Sequence, residues 1–155
     1  MSTFTLIHVL LSLVGIGSGL VVTLGFLTSK RLDRWTLLFL ATTLATSATG
    51  FFFPFHGFTP AIGVGILSLI VLTVAIVARY CFGLQGFWRS VYVVGAMIAL
   101  YFNVFVLIVQ GFQKIGALKA VAPTQSEPPF LIAQGAALLI FLALGTLAER
   151  RFRST

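Results

Sequence analysis

The chain has 155 residues, of which 59% are hydrophobic and 8% are charged, and its formal net charge is +7. A soluble domain carries about 25% charged residues and could not shield this much apolar surface from water, so a water-soluble globular fold is excluded. The ten Lys and Arg residues stand in short clusters between apolar runs, a pattern of membrane topology that argues against nucleic-acid binding. A single cysteine, Cys81, rules out an internal disulfide and a multi-cysteine metal site.

The first predicted membrane span covers 4–27. No charged side chain precedes residue 30, and this apolar stretch is longer than the roughly 7–15 residues of a signal-peptide core. It also lacks the basic segment that opens a signal peptide, so we expect a retained span. Small residues spaced three or four apart share one helix face and allow close helix contact in lipid. That face carries His8, Ser12, Gly15 and Gly19.

A long uncharged run over 35–78 predicts the next two spans, since a helix needs only about 20 residues to cross the hydrocarbon core. Its centre reads FFFPFHGFTP, in which Pro54 and Pro60 flank a histidine and a glycine. Proline removes a backbone donor and disfavours helix in the residue before it, so this segment favours a tight hairpin. The two predicted spans are 36–54 and 60–83.

Two further uncharged segments predict spans over 89–112 and 129–148. The loop between them, 113–128, is the one sizeable connection, and a short amphipathic helix is expected over 114–121 before a proline-rich stretch. The whole chain, 1–155, is therefore predicted to be a single all-α domain, an integral membrane bundle of five transmembrane helices.

Lys and Arg are distributed unevenly between the two faces of this predicted bundle. Cytoplasmic loops of membrane proteins are enriched in these residues, so the richer face is predicted to be cytoplasmic. This places the N-terminus outside and the C-terminus in the cytoplasm, in a multi-pass protein of the bacterial inner membrane. Only Lys114 and Lys119 fall on the outer face. The cytoplasmic face receives Lys30, Arg31, Arg34, Arg79, Arg89, Arg150, Arg151 and Arg153.

Nearly all polar groups that carry chemistry fall in the outer half of the predicted bundle. Polar groups inside a bilayer are energetically unfavourable, and by default they mark a functional site. Packing is the simpler interpretation for the glycines and threonines, and a lone histidine is more often a hydrogen-bonded structural residue. The candidate ligand-binding residues are His8, His56, Asn103, Gln110, Gln125, Glu127 and Gln134.

Three kinds of ligand fit these residue types. Haem b would take His8 and His56 as axial ligands, with small residues on neighbouring helices making room for the macrocycle. A quinone, or another lipophilic molecule, would lie among the phenylalanines around His56, hydrogen-bonded by a histidine or an amide, while Glu127 handles a proton. A metal ion would need His8, His56 and Glu127 together, although their spacing does not support that set.

Three stretches, FFFPFHGFTP, YFNVFVLIVQGFQK and APTQSEPPF, make the chain similar to the small multi-spanning proteins of bacterial inner membranes. In size and helix density it also resembles the DoxX-like group of membrane proteins. The resemblance covers general character over most of the chain and no defining motif. It therefore implies an inner-membrane location, and it carries over no activity and no site residue.

These features predict a membrane protein that binds rather than catalyses. Its expected function is to hold a lipophilic or redox small molecule at a polar site on the outer side, or to serve as an accessory subunit of a membrane complex. Its partners are then the lipid bilayer, further copies of itself or the subunits of that complex. The alternative prediction is a membrane b-type haem redox protein with His8 and His56 as axial ligands.

Overall fold

The computed structural model describes residues 2–153. The predicted placement of the two chain termini concerns Met1, Ser154 and Thr155, which lie outside the described residues. Throughout the described part the chain forms helices and no strand. Four of the described helices are long and apolar enough to cross a membrane, which indicates a multi-pass membrane protein. The helices are α1 (Thr3–Leu27), α2 (Asp33–Gly50), α3 (Pro60–Ile76) with a π-helical turn at Val77–Cys81, α4 (Phe87–Lys114), α5 (Gly116–Val121) and α6 (Pro128–Arg151).

The four candidate spans are α1, α3 with its π-helical turn, α4 and α6, and their bounds lie close to the predicted ones. The short helix expected in the 113–128 loop is confirmed as α5. The break around the two prolines is confirmed as well, but α2 ends at Gly50 rather than at 54. It ends early because the amides of Phe51, Phe52 and Phe53 bond to carbonyls three residues back, which tightens the chain into turns. Thr59 then caps α3, accepting from the Ile62 amide at 3.3 Å.

The second helix differs from the four candidate spans in being rich in threonine, and it begins with Asp33 and Arg34. Three of its six hydroxyls bond back to carbonyls of their own helix, at 2.7 Å from Thr42 to Leu38, 2.8 Å from Thr46 to Thr42 and 2.7 Å from Thr49 to Ala45. A hydroxyl satisfied in this way needs no partner on another helix. Half of the hydroxyls of α2 are therefore satisfied by the helix itself.

Three sets of contacts bring the cationic segments together at one end of the bundle, called here the basic end. Arg79, in the π-helical turn, pairs with Asp33 at the start of α2. The Arg89 guanidinium at the start of α4 donates to the Glu149 carboxylate of α6 at 2.6 Å. The Ser29 hydroxyl, just after α1, accepts from the Arg153 amide at 2.8 Å. Each of the five long helices has one end beside a cationic segment, and these five ends thus lie at the same level of the bundle.

The small residues of α1 pack against α2 and α4, which confirms the packing interpretation of the Gly15 and Gly19 face. A Cβ atom added at Gly19 would lie 2.6 Å from Leu100 Cδ1 and 2.9 Å from Phe39 Cε2. The helix axes approach this closely only because glycine carries no side chain. Gly17, on the opposite face of α1, has no atom of another residue within 4 Å of such a Cβ.

Replacing Gly19 with alanine is expected to destabilise the bundle by about 1–3 kcal/mol, the usual effect of overpacking a filled interior. The matched change Gly17→Ala should be neutral or slightly stabilising, because alanine is the better helix former. Unfolding in detergent micelles by added SDS, followed by circular dichroism, measures both. Equal stability of the two variants would contradict the packing described.

Candidate functional site

The seven predicted site residues do not gather around one point; five of them lie on α4, in its seam with α1 and α2 or at its contacts with neighbouring segments, and the other two lie apart from each other. His8 and Asn103 lie in the seam where α1, α2 and α4 meet, called here the inner seam, and Gln110 lies seven residues along α4 from Asn103. Gln125 and Gln134 contact the face of α4 that is turned towards α6 and the 113–128 loop. His56 lies exposed in the turn between α2 and α3, and Glu127 lies at the start of α6.

Asn103 forms the middle of the inner seam. Its side chain is 7% exposed, and its Nδ2 atom donates to the Thr43 hydroxyl at 3.2 Å. Gly15 closes the third side, since a Cβ there would lie 3.1 Å from Thr43 Oγ1 and 3.4 Å from Asn103 Nδ2. One residue from each of three helices meets at this level, so Asn103 joins helices.

His8 lies further from the basic end in the same seam, and its hydrogen bonding fixes the position of the ring proton. Its Nδ1 atom is 2.8 Å from the Thr49 hydroxyl oxygen, and that hydroxyl donates to the Ala45 carbonyl at 2.7 Å. Because the hydroxyl has one proton and uses it on the carbonyl, we assign Nδ1 as the donor to Thr49. In the neutral ring Nε2 then carries a lone pair, and no side chain or backbone group of residues 2–153 donates to it.

Aromatic rings and a glycine surround the half-buried His8 ring. The Phe53 ring meets it edge-on at a centroid distance of 4.9 Å, and Phe4 packs on Phe53 at 4.9 Å. A Cβ at Gly50 would be 3.8 Å from His8 Cε1, an ordinary contact. The imidazole is therefore held in place by apolar neighbours and one hydrogen bond, with Nε2 available as an acceptor.

Gln110 lies on α4 at a depth similar to that of His8. Gly15 neighbours Asn103, and Gly19 neighbours Leu100, so α1 and α4 run antiparallel through the seam. His8 precedes Gly15 by seven residues and Gln110 follows Asn103 by seven, which places both about 10 Å further from the basic end. The Gln110 Oε1 atom is buried, and no described residue donates a hydrogen bond to it. Two acceptors, His8 Nε2 and Gln110 Oε1, thus lie at similar depth, on the side of Asn103 away from the basic end.

The other two glutamines attach neighbouring segments to α4. Gln134 Nε2 donates to the Phe105 carbonyl at 3.2 Å, and Gln125 Nε2 donates to the Val109 carbonyl at 3.1 Å. These carbonyls lie one helical turn apart on the same face. Both side chains therefore bond to backbone on a different face of α4 from Asn103.

Glu127 organises its own loop. Its carboxylate accepts from the Thr124 hydroxyl at 2.8 Å and from the Thr124 and Ser126 amides, both at 3.1 Å. Desolvation acts to raise the pKa of Glu127, but these hydrogen bonds to the ionised form outweigh it and lower the pKa below the ordinary 4.5. No group of three or more His, Cys, Asp or Glu side chains in residues 2–153 is placed to hold a metal ion, so the set of His8, His56 and Glu127 is not assembled.

A buried arginine is the largest feature that sequence reasoning missed. Arg79 was expected among the cations of the cytoplasmic face, yet its side chain is 2% exposed. Its guanidinium pairs with Asp33 and lies 5.1 Å from the centroid of the Tyr92 ring, close enough for a cation–π contact. Glu149, near the end of α6, pairs with Arg89. The sequence contains one signal for these ion pairs: the two acids at the basic end, Asp33 and Glu149, each stand next to arginines in the chain.

Comparison of the chain with protein-family models, with curated proteins and with solved structures finds no match.

Titration of Glu127 is expected to show a midpoint below 4.5, since hydrogen bonds favour its ionised form. Because the pKa of Glu127 is lower in the folded state, the ionised carboxylate stabilises the turn at pH values above the ordinary carboxyl pKa. This stabilisation is lost as the pH falls through the lowered pKa. Carboxyl-carbon NMR on glutamate-labelled protein measures the midpoint. Thr124→Val removes one donor and should move the midpoint back up. A wild-type midpoint at or above 4.5 would contradict the loop geometry.

Proposed function

We propose that the protein crosses a bacterial inner membrane five times, with α2 as the additional span and the basic end in the cytoplasm. The 18 residues of α2 extend about 27 Å, close to the roughly 30 Å of the hydrocarbon core. Three of its five threonine hydroxyls bond to carbonyls of the same helix, which lowers the free energy needed to bury them in lipid. Eight of the ten cations lie in the segments at the basic end, which the positive-inside rule assigns to the cytoplasm.

Labelling with a membrane-impermeant maleimide on intact cells tests this topology. Cys81 is exposed at the basic end and serves as the first reporter. Lys30→Cys and Ala120→Cys, each combined with Cys81→Ser, supply two more. We expect positions 30 and 81 to be protected and position 120 to react, with all three reacting in permeabilised cells. Labelling of positions 30 and 120 together would mean that α2 does not cross the membrane. Labelling of positions 30 and 81 alone would mean that the protein has the opposite orientation.

We further propose that the outer end of the inner seam binds a lipophilic small molecule that donates hydrogen bonds. The supporting observation is the hydrogen-bonded chain from His8 through Thr49 to the Ala45 carbonyl, which leaves Nε2 as an acceptor. Gln110 Oε1 supplies a second acceptor at similar depth. Two acceptors favour a molecule with hydroxyl groups, so a quinol or another phenol suits the site better than a quinone, which has only acceptors. Phe4 and Phe53 supply apolar contacts.

The proposed role is binding, by the protein alone or as a subunit of a membrane complex. Among the seven residues predicted from the sequence, this proposal keeps His8 and Gln110 as ligand contacts and gives Asn103 a structural role beneath them. A lone pair on Nε2 also suits a haem iron, but His56 lies on an exposed turn that no hydrogen bond or ring contact joins to His8 within residues 2–153. Haem is therefore the alternative ligand that the tests below distinguish from a quinol.

Calorimetric titration of the detergent-solubilised protein with decylubiquinol and decylubiquinone tests the ligand proposal. The quinol should bind more tightly, and His8→Phe should weaken its binding about tenfold, since a neutral hydrogen bond contributes about 1–1.5 kcal/mol. Phenylalanine keeps the ring contact with Phe53 and removes both nitrogens. His56→Ala, on the exposed turn, is the matched control and should bind as the wild type does.

Two results would reject this proposal. Equal binding of quinol and quinone, or binding that His8→Phe leaves unchanged, would remove His8 Nε2 from the site. A Soret band in the visible spectrum of the purified protein that disappears in both His8→Phe and His56→Ala would identify haem in place of a quinol.

A further inference from the structure

Two apolar grooves run side by side along the half of α4 nearest the basic end. The larger one lies between α4 and α6, has a volume of about 590 Å³, and is lined by residues that include Met97, Tyr101 and Phe141. The smaller one lies between α3 and α4, has a volume of about 380 Å³, and is lined by Val71 and Val91 among others. Both grooves are bordered by Val94 and Ile98, which form the ridge between them.

Both grooves open at the basic end. The larger extends along α6 from Leu138 to Arg150, twelve residues or about 18 Å, slightly more than half of the roughly 30 Å hydrocarbon core. The smaller reaches Ser90 and Phe87 in the first turn of α4. Each groove is therefore as deep as one leaflet of a bilayer, and the two mouths lie near each other at its polar surface.

The charge at these mouths is not balanced within the protein. Glu149 is already bonded to Arg89 at 2.6 Å and to the Ser90 hydroxyl at 2.7 Å. Arg150, which lines the larger groove, is exposed and forms no salt bridge with any described residue. An anion that reached the mouth would meet this guanidinium at the depth where lipid phosphates lie.

We propose that this surface binds one anionic diacyl phospholipid of the leaflet at the basic end. One acyl chain lies in each groove, the two chains straddle the ridge of Val94 and Ile98, and Arg150 contacts the headgroup phosphate. Two leaflet-deep grooves that share a ridge and open beside one cation match a molecule with two chains and one anionic head. The site is separate from the inner seam and does not depend on the ligand proposed there.

Charge also argues against a second copy of this chain as the occupant. The two acids at the basic end are Asp33 and Glu149, and both are paired with arginines of their own chain. The remaining acid, Glu127, lies in the loop at the opposite end of α6. A neighbouring copy therefore offers no unpaired carboxylate at the level of Arg150 within the residues that the structure describes.

Native mass spectrometry of the delipidated protein with added dioleoyl phosphatidylglycerol or phosphatidylcholine tests the proposal. We expect one phosphatidylglycerol to be retained in preference to phosphatidylcholine. Arg150→Gln should weaken that binding about fivefold, the effect of one cation near an anionic lipid surface, whereas Arg151→Gln, the same charge change outside the groove, should not.

A second pair of variants tests the groove itself. A Cβ at Gly145 would lie 3.9 Å from Met97 Cβ, an ordinary contact, so Gly145→Phe extends into the larger groove without displacing backbone. It should reduce phosphatidylglycerol retention at least tenfold. Gly135→Phe, on the same helix with no atom within 4 Å of its Cβ, should retain the lipid. Circular dichroism on all four variants identifies any that fails to fold.

The outcomes separate the alternatives. Equal retention of the two lipids, or equal loss in the Arg150 and Arg151 variants, would overturn the headgroup contact. Retention of phosphatidylglycerol by a folded Gly145→Phe variant would overturn the groove. A dimer in the wild-type protein that Gly145→Phe dissociates would assign the surface to a second copy and reject the lipid.

Discussion

The close approach of α1 to α2 and α4 is the constraint on which the rest of the arrangement depends. Lipid tails solvate apolar side chains as well as other helices do, so association in a bilayer relies on tight contacts and a few interhelical hydrogen bonds. Gly15 and Gly19 supply the tight contacts, since even a methyl group at either position would press on neighbouring side chains. The bonds from Asn103 to Thr43 and from His8 to Thr49 then form along the same seam.

Local signals in the sequence predicted most of the fold. Uncharged runs, the prolines at 54 and 60, and the small-residue face of α1 all act within one helix or one turn, and the helix bounds follow them closely. The candidate site was harder to predict because it depends on which helices become neighbours. His8 and Gln110 share a depth only through the antiparallel contact of α1 with α4, whereas Gln134 turns to the Phe105 carbonyl on another face.

Arg79 shows the same limitation at the basic end. Its position between an apolar helix and a polar loop is typical of a residue at the membrane surface, which is where the sequence placed it. In the structure it is buried because Asp33 of α2 accepts its charge and the Tyr92 ring of α4 faces its guanidinium. Neither partner is close in sequence. The arginines of this end therefore divide into those that join helices, Arg79 and Arg89, and those that face outward, such as Arg150.

The threonine-rich composition of α2 has a consequence for biogenesis. A helix that opens with Asp33 and Arg34 and carries several hydroxyls is a poor substrate for insertion on its own, because the translocon sorts segments largely by apolarity. In the five-span arrangement, α2 would enter the bilayer as the second half of a helical hairpin, with α1 already in place. The glycines of α1 would then be needed during synthesis, when they offer α2 its first docking surface.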